Sequence, residues 1–411
     1  MNEETTRRLQ GNERRITSRL RLTFSVHVWP EILDRGKLMH WLKASTLASM
    51  LIMVAFLSGC DGAPTAVSEG IRVVPLADYQ ADADCAAKVR AMREGTASTQ
   101  PLHQRYQDLR VIDVHNHGAG AFSLWTWWTL KLQERYFVDR TVLFGKISEP
   151  AAARTDQQAW EAYIKYPDQV VPFFAGIPLR DEAGIAMATA NLEQGYFGIG
   201  EIVAASTHSP VASRLPWKAQ HPNDGILPQL YQLSAHYGAP VLLHIDPPSG
   251  YPIRQLEQAL QENPQAIIIF GHANAYNAPA NIEQLVSQYP NLVIDFFAGF
   301  TAYNRDSRNT LADFVSVIEK YPNQFMVSTD SGYGVGQTKA LQAIYELLDL
   351  LTPETVCKVS HQTMERIIES QLPTDTQIAR IEALSREKGE QGLRRLNKRM
   401  ANELIFELES K

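Results

Sequence analysis

Six side chains with the chemistry of metal ligands stand where short apolar segments of this sequence end. They are His115, His117, Glu201, His244, His272 and Asp330. Each is followed within a few residues by Gly, Ala, Pro or Ser, as expected where a strand gives way to a loop. Neutral imidazoles and carboxylates are the ligands that Zn²⁺ and similar divalent ions select. A lone His-x-His pair often arises by alternation in a strand, but suitable residues at five segment ends together predict a metal centre.

Such a centre would serve hydrolysis. A bound divalent ion lowers the pKa of its water ligand and polarises a carbonyl or phosphoryl oxygen of the substrate. A neighbouring carboxylate can take the proton of that water and pass it to the leaving group. We assign this catalytic role to Asp330, which would also bind the metal, and we expect one or two ions, with Zn²⁺ favoured by the ligand types. Asp113 is expected outside the ligand set, where it would orient a ligand or brace its strand.

The ligands can meet only if their segments run parallel and end at one face of a sheet. Eight apolar segments alternate with stretches that have helical periodicity. The predicted strands are 109–114, 141–144, 170–177, 197–202, 240–245, 266–270, 292–296 and 325–328, and helices are expected at 182–194, 226–236, 252–261, 282–288, 311–319 and 338–350. Eight continuous apolar strands favour an α/β fold, the closed (β/α)8 TIM barrel, over an open doubly wound sheet. No glycine-rich dinucleotide or phosphate-binding motif follows any of them.

The chain divides into four parts. Residues 1–60 are expected to be a signal peptide with a lipobox, 61–107 a tether with a first helix, 108–371 the metal-dependent hydrolase barrel, and 372–411 a C-terminal helical extension. In the extension, apolar residues recur at helical spacing between many charges. We expect it to pack on the barrel or on a partner subunit, which would allow a homo-oligomer.

The N-terminal part carries the marks of export. Basic residues precede an apolar run over 47–57, which is too short to span a bilayer permanently. The run ends in Leu57-Ser58-Gly59-Cys60, which resembles the lipobox of bacterial lipoproteins and implies lipidation of Cys60. Met39 is the better start of such a signal, and Asp61 resembles an inner-membrane retention signal. We expect a membrane-anchored lipoprotein on the periplasmic face of the cell envelope, with a plain secretory signal or a short anchor as the alternatives.

Charge argues against a nucleic-acid partner. The sequence has 39 basic and 45 acidic residues. The first 60 residues hold 9 basic and 5 acidic ones, which leaves 30 basic and 40 acidic residues, a formal charge of −10, for the rest. A body this acidic is a poor partner for phosphates, so we expect a small-molecule substrate. The two cysteines outside the lipobox, Cys85 and Cys357, can form a disulfide after export or remain buried free thiols.

The ligand pattern resembles that of the amidohydrolase superfamily. In that superfamily a His-x-His pair follows strand 1, and a bridging acid or a carboxylated lysine follows strand 4. One histidine follows strand 5, another follows strand 6, and an aspartate follows strand 8. The resemblance covers about residues 108–370 and fills all six positions. Within the superfamily, the chain looks most like the amidohydrolase-related group of small-molecule metal hydrolases. Glu201 in GEI, in place of a lysine, is similar to the strand-4 residue of TatD-type nucleases.

The resemblance also implies how the ligands divide between two metals. It implies that His115, His117 and Asp330 hold one ion, that His244 and His272 hold a second, and that Glu201 bridges them. Decarboxylating members of the related group bind a single metal and do not depend on a bridge from strand 4. The stoichiometry therefore stays open between one and two ions.

Substrate residues are expected in the loops after the strands, because loop variation sets specificity in this architecture. His208, Arg180 and Tyr303 are the candidates for binding the substrate. The loop after the first strand carries Trp125, Trp127 and Trp128, which would form either an apolar wall or lid over the site or one face of a helix on the barrel rim.

Three functions compete on this sequence. The first is hydrolysis of a small amide, ester or lactone by metal-activated water. The second keeps the metal and changes the chemistry to phosphoester hydrolysis or non-oxidative decarboxylation. The third is a non-catalytic, envelope-binding protein on a retained barrel, which would have no need of a complete ligand set.

Overall fold

The predicted apolar segments form a parallel barrel. This computed structural model describes residues 70–77, 79–95, 99–120 and 123–411. The strands are β1 (Ile71–Pro75), β2 (Ile112–Asn116), β3 (Arg140–Leu143), β4 (Val170–Phe174), β5 (Gly198–Ala205), β6 (Val241–Ile245), β7 (Ile268–Gly271), β8 (Leu292–Phe297), β9 (Phe325–Ser328) and β10 (Gly392–Leu396). Strands β2 to β9 pair in sequence order, all parallel. Since β2 also lies against β9, the sheet is a nearly closed (β/α)8 TIM barrel, which confirms the predicted fold class.

Helices connect the strands and cover the outside of the barrel. They are α1 (Cys85–Gly95), α2 (Leu102–Arg105), α3 (Ser123–Arg135), α4 (Ala152–Lys165), α5 (Ala183–Gln194), α6 (Leu227–Tyr237), α7 (Tyr251–Glu262), α8 (Ala273–Tyr276), α9 (Pro279–Gln288), α10 (Ala298–Tyr303), α11 (Leu311–Lys320), α12 (Gln337–Leu350), α13 (Pro353–Cys357), α14 (Thr363–Glu369), α15 (Asp375–Lys388) and α16 (Lys398–Ser410). Short 3-10 turns lie at Ala212–Arg214, Pro322–Gln324 and Asp330–Gly332, and a π turn at Lys358–Gln362. Within the described ranges, no helix has the length and apolar character needed to cross a bilayer.

Alternation along the strands separates two apolar layers and aims the ligands inward. Leu243 and its outward neighbours on other strands pack under the helices, whereas Leu242, Val293 and Met326 belong to a second cluster. Successive strand residues point to opposite faces. His244 therefore shares the face of Leu242, so the residue pattern that fills the barrel interior also delivers the ligand to the barrel mouth.

The two ends of the described chain meet in a second, small sheet, where the structure differs from the expected tether and helical extension. Strand β1 pairs in parallel with β10, and this pair packs with α15 and α16 around Ile381 and Ile405. Gly389, with φ of 70°, ends α15 in a left-handed cap. The sequence pattern missed β10 because its partner is more than 300 residues away. The expected signal peptide, including Cys60, lies outside the described residues.

A disulfide joins the start of the described chain to the end of the barrel. Cys85 in α1 and Cys357 in α13 are both buried, their Cα atoms are 6.0 Å apart, and they are bonded across 272 residues of sequence. Residues 66–411 form a compact unit that contains this bond and all the described strands and helices.

We expect the disulfide to contribute measurably to stability. Because it closes a long loop, its loss should lower the free energy of unfolding by about 2–5 kcal/mol. Urea unfolding of the Cys85→Ser/Cys357→Ser variant, followed by circular dichroism, measures the change. Wild-type protein under reducing conditions should match the variant. An unchanged unfolding midpoint in both cases would show that the bond adds nothing.

Candidate metal centre

The six predicted ligands come together at the carboxyl ends of the barrel strands. Five strands carry them: His115 and His117 lie at the end of β2, His244 in β6, and His272 and Asp330 just after β7 and β9, whereas Glu201 lies in the middle of the longer strand β5. Most of these side chains are buried, and His117 is the most accessible of them. The convergence follows from the barrel itself, because its strands all end at one face.

Glu201 lies between two pairs of histidines. Its Oε2 is 3.4 Å from His117 Nε2 and 3.7 Å from His115 Nε2. Its Oε1 is 3.0 Å from His244 Nδ1 and 3.1 Å from His272 Nε2. The two oxygens of one carboxylate thus face two different groups of ligand atoms, and each group is compact enough to hold an ion.

Asp330 joins the first group of ligand atoms, which consists of His115, His117 and Glu201 Oε2. Its Oδ1 is 3.5 Å from both His115 Nε2 and His117 Nε2. The backbone of Asp330 has a φ of 43°, in the left-handed region, as have those of Ser331 and His272. Non-glycine residues in this region carry strain, which concentrates at functional sites. Ser331 also helps to fix the turn, because its Oγ accepts a hydrogen bond from the His117 backbone N–H at 2.7 Å.

Hydrogen bonds on the far side of three rings leave the inner nitrogens free for a metal. His117 Nδ1 donates to the carbonyl oxygen of Gly145 at 2.8 Å, and His115 Nδ1 donates to Asp295 at 2.7 Å. His244 Nε2 faces Asp246 at 3.3 Å. Since these acceptors hold the ring protons outside, the lone pairs point into the centre. The donor set therefore fits divalent ions.

The position of Glu201 depends on the glycine before it. Gly200 has a φ of 130°, which side-chain-bearing residues rarely adopt, and a Cβ there would lie 2.6 Å from the carbonyl oxygen of Leu242. A side chain at this position would push β5 away from β6. Glycine at position 200 thus keeps the Glu201 carboxylate within reach of the histidines of the neighbouring strands.

The cluster has a strongly mixed charge distribution. Burial lowers the pKa of His117, but hydrogen bonds to Asp330 and Glu201 outweigh it and raise that pKa to about 9. Burial also lowers the pKa of His244, but its contacts with Asp246 and Glu201 outweigh this effect and raise that pKa to about 9. Burial would raise the pKa of Glu201, but the surrounding histidines hold it well below its ordinary value. Glu201 is therefore ionised, which is the state that a metal-ligating carboxylate needs.

Sequence reasoning missed two carboxylates behind the ligands. Asp295 in β8 is fully buried, and its Oδ2 also accepts the backbone N–H of His272 at 3.0 Å. Asp246 accepts hydrogen bonds from Ser206 Oγ and from the backbone N–H of Ser209, as well as from two further amides of the same loop. An acid within an apolar strand, the signal that singled out Glu201, could have identified Asp295 too.

Asp113 lies outside the ligand cluster and braces two strands. Its carboxylate accepts hydrogen bonds from the backbone N–H of Thr329 at 2.8 Å and from Thr329 Oγ1 at 2.6 Å. It also accepts from Asn116 and Gln133. These contacts tie β2 to β9, where the barrel closes, and so hold the two strands that carry the first ligand group.

A cavity of about 470 Å³ opens above the centre. Its floor includes His117, Glu201 and Asp330. Its walls are mostly apolar or aromatic: Ile147, Val211, Leu215, Ala275, Tyr276, Phe297, Phe300 and Tyr333. Lys146 is the cation among the lining residues, and its Nζ is paired with Glu149 at 2.8 Å. The cavity thus suits a small, largely apolar molecule.

None of the three predicted substrate residues lines the cavity. Arg180 is exposed and pairs with Asp224 at 3.1 Å. Tyr303 donates a hydrogen bond to Glu346. His208 is exposed, and its ring centroid is 6.0 Å from that of Tyr276, which lines the cavity.

The tryptophans after β2 also stay out of the cavity. Trp125, Trp127 and Trp128 are exposed on α3, and none of them lines the space above the metal centre. The interpretation as a wall or lid is therefore not supported, and the helical alternative describes their position. The tryptophans are exposed because α3 buries its opposite face, including Thr129 and Leu130, against the barrel.

Comparison with known proteins gives distant likenesses only. No family model matches the chain, and no curated protein matches it significantly. Similar solved structures include an uncharacterised TIM-barrel protein from Bordetella bronchiseptica (14% identity, 64% of this chain and 99% of that one, TM-score 0.47). Others are an apo protein from Agrobacterium tumefaciens (14%, 63% and 95%, TM-score 0.46) and a 2,6-dihydroxybenzoate decarboxylase in complex with 2,6-dihydroxybenzoate (12%, 63% and 99%, TM-score 0.41). The barrel assignment rests on the strand pairing of this chain itself.

Proposed function

We propose that this chain is a metal-dependent hydrolase of the amidohydrolase type, which cleaves a small amide, ester or lactone with an activated water. The observation that carries the proposal is the position of Glu201, whose two carboxylate oxygens face two separate histidine pairs. A barrel that only bound a ligand would have no use for buried ligand atoms arranged around a shared acid. Burying an acid among histidines is costly unless a charge partner compensates it.

The residues would divide the work as follows. His115, His117 and Asp330 would hold one divalent ion, most favourably Zn²⁺, and His244 and His272 a second, with Glu201 between them. Such ions supply Lewis acidity to a water and to the substrate's carbonyl oxygen. Asp330 would accept the proton of the attacking water and deliver it to the leaving amine or alcohol. Asp295 and Asp246 would keep His115 and His244 in the tautomers that ligation needs.

The cavity favours carbonyl substrates over phosphoesters. Its walls are mainly apolar, and Lys146 is paired with Glu149. The walls thus offer no unpaired lysine or arginine that would help the metal site to bind a phosphate group. Decarboxylation is the second candidate, since a carboxylate could bind a single ion directly, and a shared acid is then unnecessary.

Metal analysis followed by an activity screen tests the proposal. The purified protein should contain one to two equivalents of a divalent metal, lose activity on chelation, and regain it on adding metal back. Turnover should occur on esters, lactones or amides, and His236→Gln, an exposed histidine at the end of α6, should serve as an unaffected control. Turnover by metal-free protein would refute the proposal. Activity confined to phosphoesters would favour phosphoester hydrolysis, and activity confined to aromatic acids would favour decarboxylation.

We further propose a lipid anchor at Cys60 that places the protein on the periplasmic face of the cell envelope. The order of basic residues, short apolar run and Leu-Ser-Gly-Cys supports it. Cys60→Ser should release the protein from membranes or block its maturation, as measured by fractionation and mass spectrometry. Asp61→Ser should keep the lipid and change at most the membrane of residence. A wild-type protein that is soluble and unlipidated would contradict the anchor.

A further inference from the structure

Tyr276 lines the cavity above the metal centre, and its hydroxyl has no hydrogen-bond partner within the described part of the chain. The buried tyrosines Tyr196, Tyr231 and Tyr345 each donate their hydroxyl to a backbone carbonyl oxygen. Such pairing is usual, because a phenol hydroxyl removed from bulk water needs an acceptor. Tyr276 is half-buried, and its hydroxyl is therefore available to a molecule in the cavity.

The local structure places Tyr276 one helical turn from a metal ligand. Helix α8 begins directly after His272 and ends at Tyr276. Residues four positions apart lie on the same side of a helix. The two ring centroids are accordingly 6.1 Å apart, with the ring planes at 73° to each other. A phenol hydroxyl and a proposed ligand are thus carried by a single turn.

The turn that carries Tyr276 is held rigidly by Asn274. This side chain is buried, and its Nδ2 donates to the Phe297 carbonyl oxygen and to Thr301 Oγ1, both at 2.8 Å. Its Oδ1 accepts the backbone N–H of Phe297 at 2.8 Å. The Phe300 ring, 6.2 Å from that of Tyr276 between centroids, supports the phenol ring itself. The hydroxyl therefore has a fixed position before a substrate enters, as a group that stabilises a transition state needs.

The surroundings keep the Tyr276 hydroxyl protonated. Burial raises its pKa above the ordinary value, and the charges of Asp246 and Asp330 raise it further. Because charges shift a pKa in this way only when they are close, the hydroxyl lies near the metal centre, where Asp330 forms part of the cavity floor. At neutral pH the group is therefore an uncharged hydrogen-bond donor beside the place where the substrate would react.

We propose that Tyr276 is a catalytic residue, which donates a hydrogen bond to the carbonyl oxygen of the substrate. This inference rests on the proposed hydrolysis and adds a substrate contact to it. When water attacks the carbonyl carbon, a C–O bond forms, a proton passes from the water to Asp330, and the π electron pair moves onto the carbonyl oxygen. Tyr276 keeps its own proton and stabilises this negative charge. The electron pair returns as the bond to the leaving group breaks.

Tyr276→Phe tests the contact, because it removes the hydroxyl and keeps the ring with its packing. With nitrophenyl butyrate and ethyl butyrate as substrates, we expect kcat to fall about 10²-fold and KM to change only a few-fold. The loss should be similar for both esters, since they share the carbonyl group. Tyr251→Phe, an exposed tyrosine at the start of α7 that does not line the cavity, should behave as wild type. Unchanged unfolding midpoints check that both variants fold.

Binding of trifluoroacetophenone tests the same contact without turnover. Addition of water to its carbonyl group gives a tetrahedral centre like that of the reaction, and fluorine NMR follows its binding to the zinc-loaded protein. Tyr276→Phe should bind it at least about tenfold more weakly than wild type, because a hydrogen bond to a developing charge is lost. Tyr251→Phe should bind it as wild type.

The two measurements separate this contact from the proposed hydrolysis. If Tyr276→Phe kept the wild-type kcat, the role of Tyr276 would be overturned and hydrolysis would stand. A loss confined to ethyl butyrate, the ester with the poorer leaving group, would mean that Tyr276 protonates that group, which also overturns the contact. Ketone binding that depends on Tyr276, in a wild type that cleaves no ester, would support the contact and refute the hydrolysis. A wild type that neither cleaves the butyrates nor binds the ketone would refute both.

Discussion

Asp330→Asn should reduce turnover by several orders of magnitude while leaving the fold intact. The Asp330 Oδ1 atom stands 3.5 Å from both His115 Nε2 and His117 Nε2, where it would be able to hold a metal ion and to accept a proton from an attacking water. Burial would raise the pKa of Asp330, but the neighbouring histidines lower it below its ordinary value, so the group is ionised and able to accept a proton. Asparagine keeps the size and also tolerates the left-handed backbone at this position, but its amide cannot accept that proton.

The expected loss exceeds that of a general base alone, about 10²–10⁴-fold, because a charged ligand is lost as well. Steady-state kinetics at saturating metal measures it, and the unfolding midpoint checks that the variant folds. Asp306→Asn, an exposed aspartate in the loop that follows α10, is the matched control and should keep wild-type turnover. If Asp330→Asn stayed within a few-fold of wild type, Asp330 would have no part in proton transfer.

Residues at strand ends were the part of the site that the sequence could predict. His244 lies near the end of an apolar run and Glu201 within one, and a parallel barrel brings such strands together whatever its loops do. The buried Asp295 was missed, although it lies within an apolar run, because no metal-ligand pattern pointed to it. Its role depends on the ring of His115 turning towards it, which is a tertiary contact across 180 residues.

Loop residues were predicted poorly for a physical reason. Arg180 has the right chemistry and follows the right strand, but Asp224 takes up its guanidinium group. Tyr303 is likewise held by Glu346. The cavity is instead formed by side chains with no chemical signature in the sequence, such as Leu215 and Phe300. Polar type alone does not show which loop residues face the site, because neighbouring loops decide which of them are free.

Glu201→Gln should remove one equivalent of metal and most of the activity. Two cations in a shared site stand roughly 3.5–4 Å apart, and their repulsion is severe unless a negative charge lies between them. Glu201 is placed for this role, with Oε2 towards His117 and Oε1 towards His244 and His272. Glutamine has nearly the same shape but no charge, so we expect the second ion to be lost and turnover to fall at least about 10²-fold.

Titrating metal into chelated protein, with bound metal and turnover followed together, separates the two stoichiometries. A binuclear enzyme should gain activity until two equivalents are bound, and Glu201→Gln should saturate at one. Glu262→Gln, an exposed glutamate at the end of α7, should titrate as wild type. If wild-type activity saturated at one equivalent and Glu201→Gln bound as much metal as wild type, the binuclear proposal would fail. Glu201 would then act by holding a ligand histidine or the attacking water, and single-metal decarboxylation would become the stronger candidate because it needs no bridging acid.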